Sequence, residues 1–213
     1  MSDVGLLDFI YPPRCALCGQ PESEAICHSC WKEMEPSQNP VSLFSTADQI
    51  QRVLCVYSYS GRASQAVCRL KYSRSTGLGP PMARRLFEFY SAQGLAMPHI
   101  VLPVPIHWRR LCMRGFNQAA ILATKFPQFE DHNPLLRVRY TRPQVGLDPD
   151  QRRINMLGAF RAGEEVKGKV VLLVDDVYTT GSTAEACAIA LREAGASHIS
   201  VLTFAGYGGV NDP

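Results

Sequence analysis

Two kinds of chemistry are legible in the spacing of residues, one built on thiols and the other on acids set beside hydroxyls. Cys15-x-x-Cys18 and Cys27-x-x-Cys30 form two matched pairs within a short stretch rich in turn formers, among them Pro12, Pro13, Gly19 and Pro21. Each C-x-x-C presents two thiolates from one tight knuckle, and two knuckles complete the tetrahedron that Zn²⁺ accepts. A segment this short buries almost no core, so a structural Zn²⁺ would supply most of its folding free energy. The alternatives are a pair of disulfides or a redox C-x-x-C. The second pattern runs Val171-Leu-Leu-Val-Asp175-Asp176-Val-Tyr-Thr179-Thr180-Gly181-Ser182-Thr183. It reads as a buried strand, two acids at its carboxyl end, and a small hydroxyl-rich turn opening a helix. At the carboxyl edge of a parallel sheet, backbone N–H groups and a helix N-terminus make a positive concavity suited to a phosphate monoester. Thr180, Ser182 and Thr183 add hydroxyl donors, and Gly181 lets the backbone approach. Adjacent carboxylates accept only, which suits the vicinal hydroxyls of a ribose whose 5′-phosphate sits in the turn. The run is not a Walker A loop, since no Gly-Lys-Ser/Thr follows a spaced glycine. The plainer alternative is an ordinary strand-to-helix turn with Ser or Thr as N-cap, which explains the hydroxyls but not two consecutive acids.

The elements that must position these groups alternate between strands and helices. The polar stretch Glu35 to Gln51 reads as a linker and Val53 to Tyr59 as a strand. Ala63, Val67 and Leu70 recur at helical spacing, which puts Lys71 and Tyr72 at that helix's C-terminal end. Ile100 to Val104 is an apolar strand, followed by an alanine-rich helix from about Asn117 to Lys125. Val170 to Val174 is the clearest buried strand. Cys187, Ala190, Leu191 and Ala194 mark the next helix, Gly195 ends it, and Ile199 to Phe204 returns as a strand. Strand, helix, strand in this order predicts an α/β fold with a parallel sheet. The spacing divides the chain into residues 1–50, a zinc ribbon with its linker, and residues 51–213, the α/β domain.

Composition sets limits on function. A chain of 213 residues with 46% hydrophobic and 19% charged content can bury a real core, and a net charge of +3 gives no chain-wide argument for a polyanionic partner. No secretory signal is legible at Met1 to Pro13, so a cytoplasmic location is expected. No apolar run approaches the ~20 residues that cross a bilayer, so no membrane insertion is expected. In a reducing compartment Cys55, Cys68, Cys112 and Cys187, which lack paired spacing, read as buried small hydrophobes.

The acid-and-hydroxyl run resembles the signature with which type I phosphoribosyltransferases bind phosphoribosyl pyrophosphate (PRPP). Together with the cysteine knuckles, Lys71-Tyr72, Pro103-Val-Pro105, Arg114-Gly-Phe-Asn-Gln118, Thr141-Arg-Pro-Gln144, Arg152-Arg-x-Asn155 and Gly158-Ala-Phe160, it is similar to the ComF family. These are bacterial proteins associated with DNA uptake in natural transformation and with use of external DNA. The resemblance implies a type I phosphoribosyltransferase-like domain behind an N-terminal zinc ribbon. In it Asp175, Asp176, Thr179, Thr180, Gly181, Ser182 and Thr183 would hold ribose and 5′-phosphate. The turn Pro103 to His107 would be the pyrophosphate loop, with Lys71, Val104, Pro105, Arg109, Arg110 and Arg114 about the pyrophosphate. Residues around Arg139 to Asn155 would form a flap, and Asp175, Asp176 and Arg142 would be catalytic. PRPP would bring Mg²⁺, with an acid of the pair in its outer shell. The residues support this, because guanidinium forks beside the proposed loop suit phosphate oxygens. The crowd of Arg137, Arg139, Arg142, Arg152 and Arg153 in a loop-like stretch suits a mobile lid over an anionic ligand, the alternative being a solvated basic face or a path for single-stranded DNA. Three functions follow: a PRPP-binding protein in the handling of incoming DNA, a nucleobase salvage enzyme, or a zinc-ribbon module holding single-stranded DNA or a helicase-like partner. Thr179 stands where purine-salvage relatives carry an aspartate, which disfavours the second, and Ser73-Arg74-Ser75 delays the glycine that commonly follows Lys-Tyr.

Overall fold

The computed structural model describes residues 13–43, 49–72, 76–129, 132–141 and 149–207. Along the chain run α1 (His28–Lys32), β1 (Val41–Leu43), β2 (Arg52–Ser58), α2 (Gly61–Tyr72), α3 (Gly79–Ala92), β3 (Ile100–Pro103), α4 (Trp108–Arg114) and α5 (Gln118–Ala123). Then come β4 (Leu135–Arg137), α6 (Pro149–Met156), β5 (Phe160–Ala162), β6 (Val170–Tyr178), α7 (Ser182–Glu193) and β7 (His198–Gly206). The principal sheet has the order β1-β2-β7-β6-β3, and every pairing is parallel except that of β1 with β2.

Parallel strands covered on both faces should be apolar at every position rather than at alternate ones, and these are. In β6, Leu172 and Val174 join one core cluster while Val171 and Leu173 join the other. In β7, Leu202 and Phe204 face the first, and Ile199 and Val201 the second. The first cluster takes Val67 and Leu70 of α2, Met82 and Leu86 of α3 and Leu122 of α5, together with Ile26, Cys30 and Met34 of the N-terminal segment. The second takes Cys187 and Leu191 of α7 and Met156, Ala159 and Phe160 around the small antiparallel pair β4–β5.

Three expectations change. The stretch read as a linker adds β1 to the sheet edge and bridges Pro36 to Tyr57, because Pro40 and Glu35 carbonyls accept from Cys55 and Ser58 amides. Strand β6 does not stop at Val174 but carries both acids within it, since its neighbour β7 continues to Gly206 and the ladder with it. Gly206 permits this, for a Cβ there would stand 3.1 Å from the Tyr178 carbonyl and 2.7 Å from Cys55 Sγ. Finally, Cys55 and Cys187 are buried as expected, whereas Cys68 and Cys112 are exposed. Each of these two lies on a helix turned toward solvent at that position, where a thiol costs little.

Candidate functional site

The four paired cysteines converge. Their sulfurs lie within 4.8 Å of one another, with Cys15 to Cys30 and Cys18 to Cys27 both 3.7 Å apart. Sulfurs at tetrahedral corners about 2.3 Å from one ion stand about 3.8 Å apart, and a disulfide would bring a pair to about 2.05 Å. The arrangement therefore fits a metal and not disulfides. Backbone amides of Leu17 and Cys27 donate to Cys15 Sγ, each at 3.4 Å. Burial works against a charge on that sulfur, but amides of Cys27, Cys18 and Leu17 outweigh it and its pKa falls to about 6. A thiolate is thus ready at neutral pH, the form a Zn²⁺ ion requires.

At the carboxyl edge of the principal sheet lies a cleft of about 660 Å³, within the range of roughly 300–1,000 Å³ usual for small-ligand sites. Residues 175–184 line it without a gap. Helix α7 begins here with Gly181 as N-cap at φ 75°, a residue with no side chain of its own to cap the helix. The ordinary Ser/Thr-capped turn is therefore not what forms. Thr180 Oγ1 and Ser182 Oγ bond each other at 2.9 Å, and the amides of a helix N-terminus suit an anion.

Consecutive residues of a strand point to opposite faces, so Asp175 and Asp176 part company within β6. Asp176 turns to the α2 side, where Lys71 Nζ stands 3.0 Å from its Oδ2. Burial opposes the Lys71 charge, but Asp176 and Asp175 outweigh it and raise the lysine pKa. Asp175 turns to the other side, toward Arg137 and Cys187, and its Oδ1 accepts from the Asp176 amide at 2.8 Å. Burial first, and then the Asp176 carboxylate, push the Asp175 pKa up to about 8. With its pKa at about 8, Asp175 holds its proton in the neutral range, while Lys71 faces Asp176.

The turn after β3 forms the opposite wall. Val104 donates its amide to the Val174 carbonyl at 2.9 Å and accepts from Asn117 Nδ2 at 3.0 Å, while Asn133 Nδ2 bonds the Pro103 carbonyl at 2.9 Å. Val104 and Pro105 thus give the cleft its shape, with both main-chain groups of Val104 already engaged. His107 is buried and caps α4 through Nδ1, which accepts from the Arg109 amide at 3.2 Å. Burial and the charges of Arg137, Arg109 and Arg110 lower its pKa, so the imidazole is neutral.

Of the three arginines read as pyrophosphate ligands, Arg110 and Arg114 line the cleft and Arg109 does not. Arg114 is held by Gln118 Oε1 and lies 5.5 Å over the Tyr72 ring. Arg109 instead spans the Trp108 and Tyr140 rings outside, at 5.4 and 5.3 Å. Lys71, Thr179, Thr180, Gly181, Ser182 and Thr183 all reach the cleft. Arg142 lies outside the described residues, as do the side chains of Arg152 and Arg153. Arg139 is spent on structure, since its Nη2 bonds the Asn155 and Leu157 carbonyls at 3.0 and 2.6 Å. Tyr59, Phe116, Arg137 and Tyr178 also line the cleft. The sequence reading gave Tyr59, Phe116 and Tyr178 no role and took Arg137 only as one of a crowd of arginines; the chain brings it in on the short strand β4.

Comparison with known proteins matches both halves. Residues 6–42 fit the double zinc ribbon domain and residues 112–209 the phosphoribosyl transferase domain. The DNA utilization protein YhgH of Escherichia coli O157:H7 is 32% identical over 197 residues, covering 88% of this chain and 81% of that protein. Competence protein F of Haemophilus influenzae is 29% identical over 89% of this chain and 82% of its own length, and competence protein ComFC of Bacillus subtilis 27% identical over 89% and 76%. Among solved structures, the allosteric regulatory enzyme of purine biosynthesis aligns with TM-score 0.39 at 21% identity, covering 59% of this chain and 26% of that one. A four-thiol cluster of zinc geometry in front of a mostly parallel α/β domain, matched over most of its length by these relatives, places the chain in the ComF family.

Proposed function

We propose that the cleft binds PRPP and carries phosphoribosyl transfer with pyrophosphate as leaving group, in a protein that serves the handling of external DNA. The observation that carries this reading is convergence. A glycine-capped helix N-terminus, two acids and the cations Lys71, Arg110, Arg114 and Arg137 share one cleft. The α7 amides and the hydroxyls of residues 179–183 would take the 5′-phosphate, and Asp175 with Asp176 the ribose hydroxyls. The cations would meet the diphosphate, where charge grows as the anomeric C–O bond breaks. An acceptor's lone pair forms the new bond to the anomeric carbon while pyrophosphate departs with the old electron pair. Mg²⁺ suits this site as a passenger on the diphosphate oxygens and water, because Asp176 already holds the Lys71 ammonium and Asp175 keeps a proton. Nucleobase salvage is disfavoured, as Asp175 and Asp176 are the sole acids of the described lining and both are engaged. No helix among the described residues is long and apolar enough to cross a membrane, and we place the protein in the cytoplasm. Isothermal titration with PRPP and Mg²⁺ tests the reading: no heat at millimolar ligand would sink it.

A second reading concerns the outer face of the same wall. Helix α4 buries none of its residues, and Trp108 is 61% exposed with the Arg109 guanidinium over its ring. Aromatic and cationic groups so interleaved suit stacked bases of single-stranded DNA. Salt-dependent binding of an oligonucleotide, weakened by Trp108→Ala, supports it; binding indifferent to salt and to this change excludes it.

A further inference from the structure

The strands that carry the cleft at their carboxyl ends bring a second group of polar side chains together at their amino ends. Strand β2 opens on Arg52 and β7 on His198, and the parallel register sets Arg52 beside Ser200. Alternation assigns all three to one face. Leu54 and Val56 of β2 belong to the first core cluster, as do Leu202 and Phe204 of β7, so Arg52, His198 and Ser200 look to that side, where Tyr90 sits in the last turn of α3. Gln51 holds the register from the other face, its Oε1 accepting from the Ile199 amide at 2.9 Å.

This group lacks partners. Arg52 Nε is buried with no hydrogen-bond partner, and Ser200 is only 7% exposed, with nothing bonded to its hydroxyl among the described residues. Neither Arg52 nor His198 belongs to an ion pair there. The charges that bear on His198 are those of Arg52 and Arg192, and the one that bears on Tyr90 is that of Arg52. All are cationic. Arg192 is anchored by the Gln49, Ala196 and Ser197 carbonyls at 3.3, 3.0 and 2.8 Å, so it adds positive charge at a fixed place and receives no counter-charge in return. Buried donors and unneutralised cations are costly to leave so, and an anion answers both. A guanidinium, a hydroxyl and an imidazole N–H are three separate donors, which a phosphoryl group with three terminal oxygens serves better than a carboxylate with two.

We propose that Arg52, Ser200 and His198 form a second anion site, for a phosphoryl group, at the amino edge of the principal sheet. Val170, beside His198 in the register, and Asp176 of the cleft lie toward opposite ends of β6, about 20 Å apart at ~3.3 Å per residue. The site therefore stands whatever the cleft binds.

Titration of the zinc-loaded protein with inorganic phosphate, followed by NMR of the imidazole C–H signals, tests it, and His198→Gln identifies the His198 signal among those of the 5 histidines. That signal should move saturably at millimolar phosphate. Arg52→Gln should weaken the binding roughly 10- to 100-fold, the effect of losing a charge-assisted contact, and Ser200→Ala about 2- to 10-fold. Thermal melting should show both variants folded, and Lys71→Met, which alters the cleft, should leave the titration unchanged. Repeating it with adenosine 5′-monophosphate separates the sources: tighter binding than phosphate supports a nucleotide's phosphoryl group, and equal or weaker binding supports the free ion. A His198 signal that does not move, that moves alike in the parent and in Arg52→Gln, or that ceases to move in Lys71→Met overturns the proposal. Acetate binding as tightly as phosphate overturns it too, since the donors would then select no phosphoryl group.

Discussion

Replacing Asp175 with Asn should remove a loss of stability that the parent protein suffers between pH 6 and pH 8. Folding raises this carboxyl from its ordinary 3.8 to about 8, first by burial and then through the Asp176 charge. An acid with a raised folded pKa contributes stability that is complete below the unfolded value and lost as pH climbs through the folded one. At pH 6 the folded protein keeps the proton while the unfolded chain has released it; by pH 8 half the folded molecules have released it too. With one proton at stake and about 1.4 kcal/mol per unit, the parent should lose about 2 kcal/mol over this interval. Asn is nearly isosteric and does not ionise, so its contribution is flat. Urea melts of both zinc-saturated proteins at pH 6, 7 and 8 read the difference, and titrating groups remote from this cluster cancel because they are common to the two. A parallel decline in parent and variant would show that Asp175 is ionised throughout, and the raised pKa assigned to it would be wrong.

Metal analysis should return about one Zn²⁺ per chain, and Cys27→Ser should lose it together with the order of residues 13–34, since the ribbon has little core of its own. Gly181→Ala should lower stability by about 1–2 kcal/mol, because the residue sits at φ 75° and the new methyl meets the Tyr178 phenol; unchanged melting and unchanged ribose 5-phosphate binding would contradict the built turn. In the zinc-loaded native protein, a thiol reagent should label Cys68 and Cys112 quickly and Cys55 and Cys187 only on unfolding, which peptide mapping by mass spectrometry reads.

Much of this site was legible because its parts are local in sequence. Strand, acids, turn and helix N-terminus occupy residues 170–184 in one run, and the knuckles lie within residues 15–30. The order strand, helix, strand named the parallel sheet for the same reason, since it too is read along one continuous stretch of chain. What escaped depends on the partners of a segment. The extension of β6 through its acids is set by β7, which lies some twenty-five residues on, and the use of Arg139 by carbonyls of Asn155 and Leu157. Arg137 and Arg139 differ by two positions and look alike on the page; one lines the cleft and the other ties a loop. Only the placement of β4 beside α7 separates them.

Helix α2 touches the ribbon at one end and the cleft at the other. Arg69 of α2 donates to the Ala16 carbonyl and Arg62 to that of Leu17 at 3.5 Å, both within the first knuckle, and Arg62 also meets Glu33 at 2.6 Å. Trp31 packs over Tyr57 and Phe204 beside it, with ring centroids 6.3 Å from each. The last turn of the same helix delivers Lys71 to Asp176. A knuckle that has lost its metal no longer fixes the carbonyls on which Arg69 and Arg62 rest, so the helix is held at one end only. The reciprocal relation must then hold, because coupling between two sites is symmetric in free energy. A ligand that engages Lys71 should reduce the Zn²⁺ released to a chelator at equilibrium, and Lys71→Met should abolish that protection. Identical release with and without ligand would mean that α2 transmits nothing between them.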